Sequence, residues 1–140
     1  MIVRGARLRW TVLTATVVLG FAVSLVGCAS LGPVTPVAVS DLGSVAGTWK
    51  GVVYGPGSEP EYVELTIGED GSYDVVSRQK IGESRGNGKI VIRDGRLLLE
   101  GQKGQGVGTV VTNAAGDRVM NIEATLSDNS TLSAELSRSR

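Results

Sequence analysis

The chain has 140 residues, the length of a single domain, and contains one cysteine and no histidine. It therefore cannot form an intramolecular disulfide, and it lacks the side chain used most often as a metal ligand and general base. Its formal net charge is zero, but residues 1–27 hold three of its 14 basic residues and no acid, so eleven basic and 14 acidic residues follow. This acidic balance, without a basic run, argues against nucleic acid as a partner.

The chain begins with a basic stretch, MIVRGARLRW, followed by a mostly apolar stretch over residues 11–27. This order is typical of a secretory signal peptide. A membrane-spanning anchor is the alternative, since about 18 apolar residues just suffice to cross a bilayer. The residues that close the apolar stretch decide between these two interpretations.

The segment Leu25-Val26-Gly27-Cys28 resembles the lipobox of bacterial lipoprotein signal peptides. The resemblance implies that residues 1–27 form a lipoprotein signal peptide, cleaved between Gly27 and Cys28. It also implies a diacylglyceryl group on the Cys28 sulfur and, in many bacteria, acylation of the new N-terminus. Two or three acyl chains suffice for stable anchoring, so we expect the membrane to be a partner through Cys28 alone.

The residue after the cysteine bears on localisation. In the lipoprotein family an aspartate there often signals retention in the inner membrane of Gram-negative bacteria, and this chain has Ala29. We therefore expect a lipid-anchored envelope protein whose domain lies outside the cytoplasm. The periplasmic face of the outer membrane is favoured in a Gram-negative cell, and the outer face of the cytoplasmic membrane in a cell without an outer membrane.

The segment after the cysteine contains two prolines, small residues and no clear periodicity. It predicts a semi-extended linker, so residues 28–44 are assigned to the lipidated cysteine and a flexible tether. A trunk that inserts into a partner protein is the alternative. In either case the segment would hold the following domain away from the membrane.

Residues 45–138 are predicted to form the folded domain. They contain eight short apolar stretches separated by turn residues, at a spacing typical of all-β barrels and sandwiches. The predicted strands are 47–55, 61–68, 71–79, 86–93, 95–101, 106–113, 117–126 and 130–138. No segment after residue 44 has a helical period over three turns.

Alternation and turn chemistry support this assignment. Val63, Leu65 and Ile67 share one face of their strand, which places them in a core. Asp94-Gly95 lies between two apolar stretches and predicts a two-residue type I′ hairpin. Because every connection is short, consecutive strands should be antiparallel neighbours. The sequence thus predicts an all-β fold: a single small antiparallel up-and-down barrel of about eight strands, after an N-terminal signal helix and a linker.

Seventeen of the 20 glycines follow residue 27, about twice the average usage. Low-complexity disorder is one explanation, but the alternation of valine, isoleucine and leucine between the glycines favours strongly coiled strands with bends and bulges. A barrel of eight strands is either filled by side chains or holds one small ligand. The small residues leave both alternatives open.

The first strand of the domain opens with Gly47-Thr48-Trp49. This resembles the Gly-x-Trp signature of lipocalins and the wider calycin group, which includes avidin and a family of bacterial protease inhibitors. The resemblance implies that Trp49 closes the barrel floor, with Arg138 as the arginine packed over it in a cation–π contact. Typical lipocalins have a longer chain and a C-terminal helix, and the ligands of the family do not carry over.

Other motifs predict turns or surfaces rather than chemistry. The pattern GESRG (82–86) fits a serine-hydrolase elbow, but no histidine and no following helix accompany Ser84. The glycine-rich segment 101–108 is followed by a strand-like stretch instead of the helix that a phosphate loop requires. Several acids lie around the second strand and are predicted to form a solvated face: Glu59, Glu61, Glu64, Glu69 and Asp70.

These observations predict a protein that is not an enzyme and has no cofactor or metal ion. The favoured function is a non-enzymatic protein-interaction or accessory module, inhibitor-like in one version, that contacts an envelope protein through loops such as 55–61 or 101–106. The alternative is a barrel that binds a small hydrophobic ligand or lipid. A filled barrel would favour the first function, and an open internal cavity the second.

Overall fold

A computed structural model of the protein describes residues 32–140. The predicted signal peptide and Cys28 lie outside the described residues. Within these residues the chain forms nine strands and one short 3-10 helix (Leu42–Ser44). The strands are β1 (Thr35–Val37), β2 (Gly47–Tyr54), β3 (Glu61–Ile67), β4 (Ser72–Gln79), β5 (Gly82–Arg93), β6 (Arg96–Gly101), β7 (Gly104–Thr112), β8 (Arg118–Leu126) and β9 (Thr131–Arg138).

Strands β2 to β9 form a closed antiparallel barrel, as the sequence predicted. Each strand pairs with its neighbour in the chain, and the ring closes where β2 pairs with β9, with Trp49 opposite Arg138. Closure leaves no unpaired edge between the first and last strands of the barrel. Consecutive loops alternate between two ends, which we call the floor, where β2 begins, and the mouth, where β2 ends.

The hairpin at Asp94-Gly95 has the predicted geometry. Arg93 pairs with Arg96, so the loop has two residues, and both have positive φ angles, 52° and 74°. This is the type I′ turn, whose backbone twist matches that of the flanking strands. Asn and Asp tolerate this left-handed region better than most residues, and glycine tolerates it best.

Two other turns are stabilised by an aspartate that accepts hydrogen bonds from a serine two residues later. The Asp70 carboxylate accepts from the Ser72 hydroxyl and backbone N–H, and Asp128 accepts from Ser130 in the same way. These hydrogen bonds lower the pKa of both carboxyl groups below their usual value, and the hydrogen bond from the serine hydroxyl contributes most. The charged form therefore stabilises both turns.

Strand β5 begins at Gly82, four residues earlier than the sequence predicted. Gln79 pairs with Gly82, so the β4–β5 loop consists of Lys80 and Ile81 alone. The first residues of β5 are polar or glycine and lack the apolar alternation that marks a strand in the sequence. Here the ladder to β4 extends the strand where the side-chain pattern gives no signal.

Residues 35–45 lie within or next to the range assigned to the linker, and in the structure they pack across the barrel floor. Strand β1 pairs with the floor end of β7, from Thr35 opposite Thr112 to Val37 opposite Val110. The Val39 backbone N–H then donates to the Gly95 carbonyl at 2.9 Å, and its side chain is buried. We call residues 35–45 the floor strap.

The hydrophobic core is concentrated at the floor. The largest fully buried side chains include Trp49, Ile67, Leu97 and Met120. The Trp49 indole N–H donates to the Val45 carbonyl at 2.8 Å, so this large ring is buried without an unsatisfied donor. The floor strap contributes Val39 and Val45 to the same cluster.

Some glycines are needed because neighbouring strands approach very closely. A Cβ at Gly51 would lie 1.9 Å from the Glu135 carbonyl oxygen, and one at Gly88 would lie 2.1 Å from that of Glu100. Either distance is far below van der Waals contact, so only glycine fits. These positions let the strands bend sharply enough to close a small barrel.

In residues 32–140 no helix is long and apolar enough to cross a membrane.

Candidate functional site

The mouth half of the barrel encloses a cavity of about 490 Å³. Its lining includes residues from the loops that join β2 to β3, β6 to β7 and β8 to β9, namely Pro56, Lys103 and Ser130. None of the turns at the floor end contributes to it. The cavity is therefore open at the mouth and closed below by the packed floor. Its volume lies within the range typical of small-molecule sites.

The cavity wall is mostly apolar, because inward-facing positions on every barrel strand except β5 and β7 carry hydrophobic side chains there. Several of these side chains are almost inaccessible to solvent, such as Leu65 and Leu136 in the deeper part. The apolar wall residues are Val53, Val63, Leu65, Tyr73, Val75, Leu99, Ile122, Ala124, Leu126, Leu132, Ala134 and Leu136. Such a surface favours an apolar ligand or ligand segment, which leaves water on binding.

Glycines provide the space. Gly86, Gly101, Gly104 and Gly106 line the cavity on β5, β6 and β7, where inward-facing large residues would fill it. The floor half has Ile90, Leu97 and other large side chains on the same strands. The barrel thus changes from filled to hollow along its length, as the inward residues change from large to small.

Tyr73 lies at the inner wall with its ring against two glycines. A Cβ at Gly101 would be 2.4 Å from the Tyr73 hydroxyl oxygen, and one at Gly88 would be 2.8 Å from a ring carbon. Burial raises the pKa of the Tyr73 phenol. The hydroxyl therefore stays neutral at physiological pH and remains able to donate and to accept a hydrogen bond inside the cavity.

A cluster of three hydrogen-bonded polar residues lines the cavity near the mouth. The half-buried Glu61 carboxylate accepts hydrogen bonds from the Ser77 hydroxyl and the Gln79 side-chain amide, both 2.5 Å long, and all three residues line the cavity. Glu61 was predicted to belong to a solvated acidic face. It faces inward because it is in phase with Val63 and Leu65, the alternation that marks the inner face of β3.

A basic group lies farther along the same rim. The Lys103 ammonium donates to the Arg85 carbonyl at 2.7 Å and to the Ser84 hydroxyl at 3.3 Å. Ser84 is the register partner of Ser77 across β4 and β5. The charged side chains of Glu61 and Lys103 therefore lie on one side of the mouth, while apolar residues such as Pro56 and Leu132 and neutral polar residues such as Ser130 line the cavity elsewhere.

The residues singled out by the lipocalin-like signature lie at the floor, away from the cavity. The guanidinium carbon of Arg138 is 5.7 Å from the centroid of the Trp49 ring, and its nitrogens donate to the carbonyls of Ala46 and Ser44 at 2.6 and 3.1 Å. Gly47 has a φ of 116°, which L side chains rarely adopt. These three residues serve the closure of the barrel rather than a ligand.

The rejected chemical motifs fall on hairpins. GESRG forms the start of β5, with Ser84 bonded to Lys103 at the mouth. The segment 101–108 is the β6–β7 hairpin. Within residues 32–140, no group of three or more histidine, cysteine, aspartate or glutamate side chains is arranged to hold a metal ion.

Comparisons with protein-family models, with curated proteins and with solved structures found no match.

Sequence reasoning did not find the cavity's polar side or the floor strap. Counting the inward phase of β3 back to its first residue would have placed Glu61 inside. The pairing of Ser77 with Ser84 had no comparable signal, because it depends on a two-residue hairpin at Lys80-Ile81 that has no glycine, asparagine or aspartate in its loop.

Proposed function

We propose that this protein is a lipid-anchored envelope lipoprotein whose barrel binds a small hydrophobic or amphipathic ligand in the mouth cavity. The observation that carries the proposal is the open, apolar cavity of about 490 Å³ above a packed floor. The lipobox-like segment ending at Cys28 supports the anchor, and the Gly47-Thr48-Trp49 signature with Arg138 over the indole supports a lipocalin-like barrel.

The cavity favours ligand binding over the interaction module that the sequence alone favoured. A protein-binding barrel needs no internal space, and filling these positions with larger side chains would increase its stability. Here small residues keep the mouth half hollow. Binding without catalysis is the simplest use of this site, and the interaction module remains a prediction to be tested separately.

The ligand proposal is tested by filling the cavity. Ala134 is buried at mid-depth in its wall, so Ala134→Phe should occupy the space that the ligand needs. The matched control, Ser137→Phe, adds the same ring to an exposed outward position on the same strand. The full chain, extracted in polymer nanodiscs without detergent, is offered a fatty acid with a 14-carbon chain, and bound ligand is counted by native mass spectrometry.

We expect the wild type and Ser137→Phe to bind the fatty acid and Ala134→Phe to lose at least tenfold in affinity. Unchanged binding in a folded Ala134→Phe variant would place the ligand elsewhere, and no binding in the wild type would contradict the ligand proposal.

Intact-mass analysis of the same material tests the proposed lipid anchor on Cys28. Acyl mass is expected on Cys28 with residues 1–27 removed, and an unmodified Cys28 behind an intact signal peptide would contradict it.

A further inference from the structure

The mouth of the cavity has a row of polar groups on one side, which we call the rim ledge: Glu61, Ser77, Ser84 and Lys103. They belong to β3, β4, β5 and the β6–β7 loop, and all line the cavity. Hydrogen bonds join them in two pairs, Ser77 with Glu61 and Lys103 with Ser84. The two serines are register partners, so the pairs lie side by side.

The acid at one end of the rim ledge has no counter-charge. Each Glu61 carboxylate oxygen accepts one hydrogen bond, from Ser77 or Gln79, and both donors are neutral. Among residues 32–140, no lysine or arginine nitrogen lies within 4.0 Å of it. A carboxylate offers about four acceptor positions, so two remain for a ligand. A half-buried carboxylate without a cation favours a positively charged or strongly donating partner.

Lys103, at the other end of the rim ledge, is a base without a counter-charge. The Lys103 ammonium has three donors, two of which are used by the Arg85 carbonyl and Ser84. In the described part of the chain, its nitrogen has no carboxylate within 4.0 Å. One N–H and the full positive charge are thus left for a ligand, and Lys103 and Glu61 do not neutralise each other through a direct ion pair.

Resting on the proposed function, we propose that the ligand is an amphiphile with a zwitterionic head group. Its cationic group contacts Glu61, its anionic group contacts Lys103, and its hydrocarbon chain fills the apolar cavity. A purely anionic head would lie beside the Glu61 charge, a purely cationic head would lie beside the Lys103 charge, and a neutral head would leave both charges unpaired. A zwitterionic head is the one that pairs with both ends of the rim ledge.

Three single-chain lipids with the same 14-carbon tail test this inference. Their heads are zwitterionic phosphoethanolamine, anionic phosphoglycerol and a plain carboxylate. The full chain in polymer nanodiscs is titrated with each, and native mass spectrometry gives the affinities. We expect the wild type to bind the zwitterionic lipid at least tenfold more tightly than either anionic lipid.

Single variants test the contributions of the two ends of the rim ledge separately. Glu61→Gln should weaken zwitterionic binding about tenfold and improve binding of the phosphoglycerol lipid, because it removes the attraction for the cation and the repulsion of the anion. Lys103→Gln should weaken both phospholipids. Outward-facing controls, Glu135→Gln on β9 and Lys89→Gln on β5, should change neither.

Equal affinity for the three heads, or unchanged head preference in Glu61→Gln, would overturn the rim ledge proposal while the ligand-binding function stands. Binding of none of the lipids by the wild type would overturn both. A cooperative thermal unfolding transition in each variant shows that the variant is folded. A loss of head-group preference can then be assigned to the substituted side chain rather than to unfolding.

Discussion

Arg138 is one residue with three separate contacts at the barrel floor. Two of its guanidinium nitrogens donate to the carbonyls of Ser44 and Ala46, and its plane lies over Trp49. These carbonyls belong to the floor strap or lie just after it. A single side chain therefore joins the last strand to the segment that precedes the first barrel strand, as well as covering the indole.

We expect Arg138→Lys to reduce the free energy of unfolding by about 1–2 kcal/mol, because an ammonium cannot make two divergent hydrogen bonds and stack on the ring at once. Arg96→Lys, on an exposed arginine at the start of β6, should cost less than about 0.5 kcal/mol. Urea unfolding of the soluble chain from residue 29 measures both. Equal effects would mean that the Arg138 contacts add nothing specific.

For single residues, the sequence predicted the structure correctly where a residue type or motif indicates one particular contact or backbone conformation. The pairing of Trp49 with Arg138 was expected from a motif, and the Asp94-Gly95 turn from its tolerance of positive φ. Glu61 was assigned to solvent because it follows Pro60 and neighbours other acids. Its position is decided by register in a closed barrel, which a list of charged residues does not contain.

Among the elements, the floor strap departs most from expectation. Its single proline, its valines and its small residues predicted a tether, and none of the stretch alternates long enough to predict a strand. Strand β1 forms because the β6–β7 ladder begins with Leu97 opposite Gly108 and leaves the last residues of β7 without a partner on that side. Pairing with β1 satisfies those backbone groups.

Truncation tests whether the floor strap belongs to the folded domain. A soluble chain beginning at Asp41 loses β1 and the buried Val39, and should be less stable by about 2–3 kcal/mol than one beginning at Val34. The chain beginning at Val34 should match one beginning at residue 29. Urea midpoints compare the three. Identical midpoints for all would show that residues 34–40 act only as a linker.

The eight barrel strands were predictable because each is a local pattern of alternation bounded by turn residues. Closure and the order of strands followed from short connections. The strap and the early start of β5 were not predictable, because long-range ladders determine them. The glycines predicted coiling but not a cavity, since their number does not reveal which face and which end of the barrel they occupy.

The molecule as a whole has a gradient of packing from floor to mouth. Large side chains fill the floor, and small residues with an open cavity occupy the mouth. Local opening requires less free energy where fewer apolar contacts must be broken. The two ends of the same strand should therefore differ in stability.

Amide hydrogen exchange measures this gradient. We expect amides in the mouth halves of β6 and β7 to exchange at least tenfold faster than those in the floor halves, a difference of about 1.4 kcal/mol in opening free energy. A bound amphiphile should slow the mouth amides and leave the floor amides nearly unchanged. Uniform exchange along both strands would indicate that the cavity does not weaken the mouth.

The position of Gly32 has a consequence for the proposed lipid anchor. Gly32 enters the described structure beside Ala114, in the turn between β7 and β8 at the closed end. Three residues separate Gly32 from Cys28, so the Cα atoms of these two residues are at most about 14 Å apart. If Cys28 carries the proposed lipid, the barrel is tethered at its closed end, and the mouth cavity lies at the end opposite the tether. A ligand would then enter and leave the barrel at the end opposite the tether.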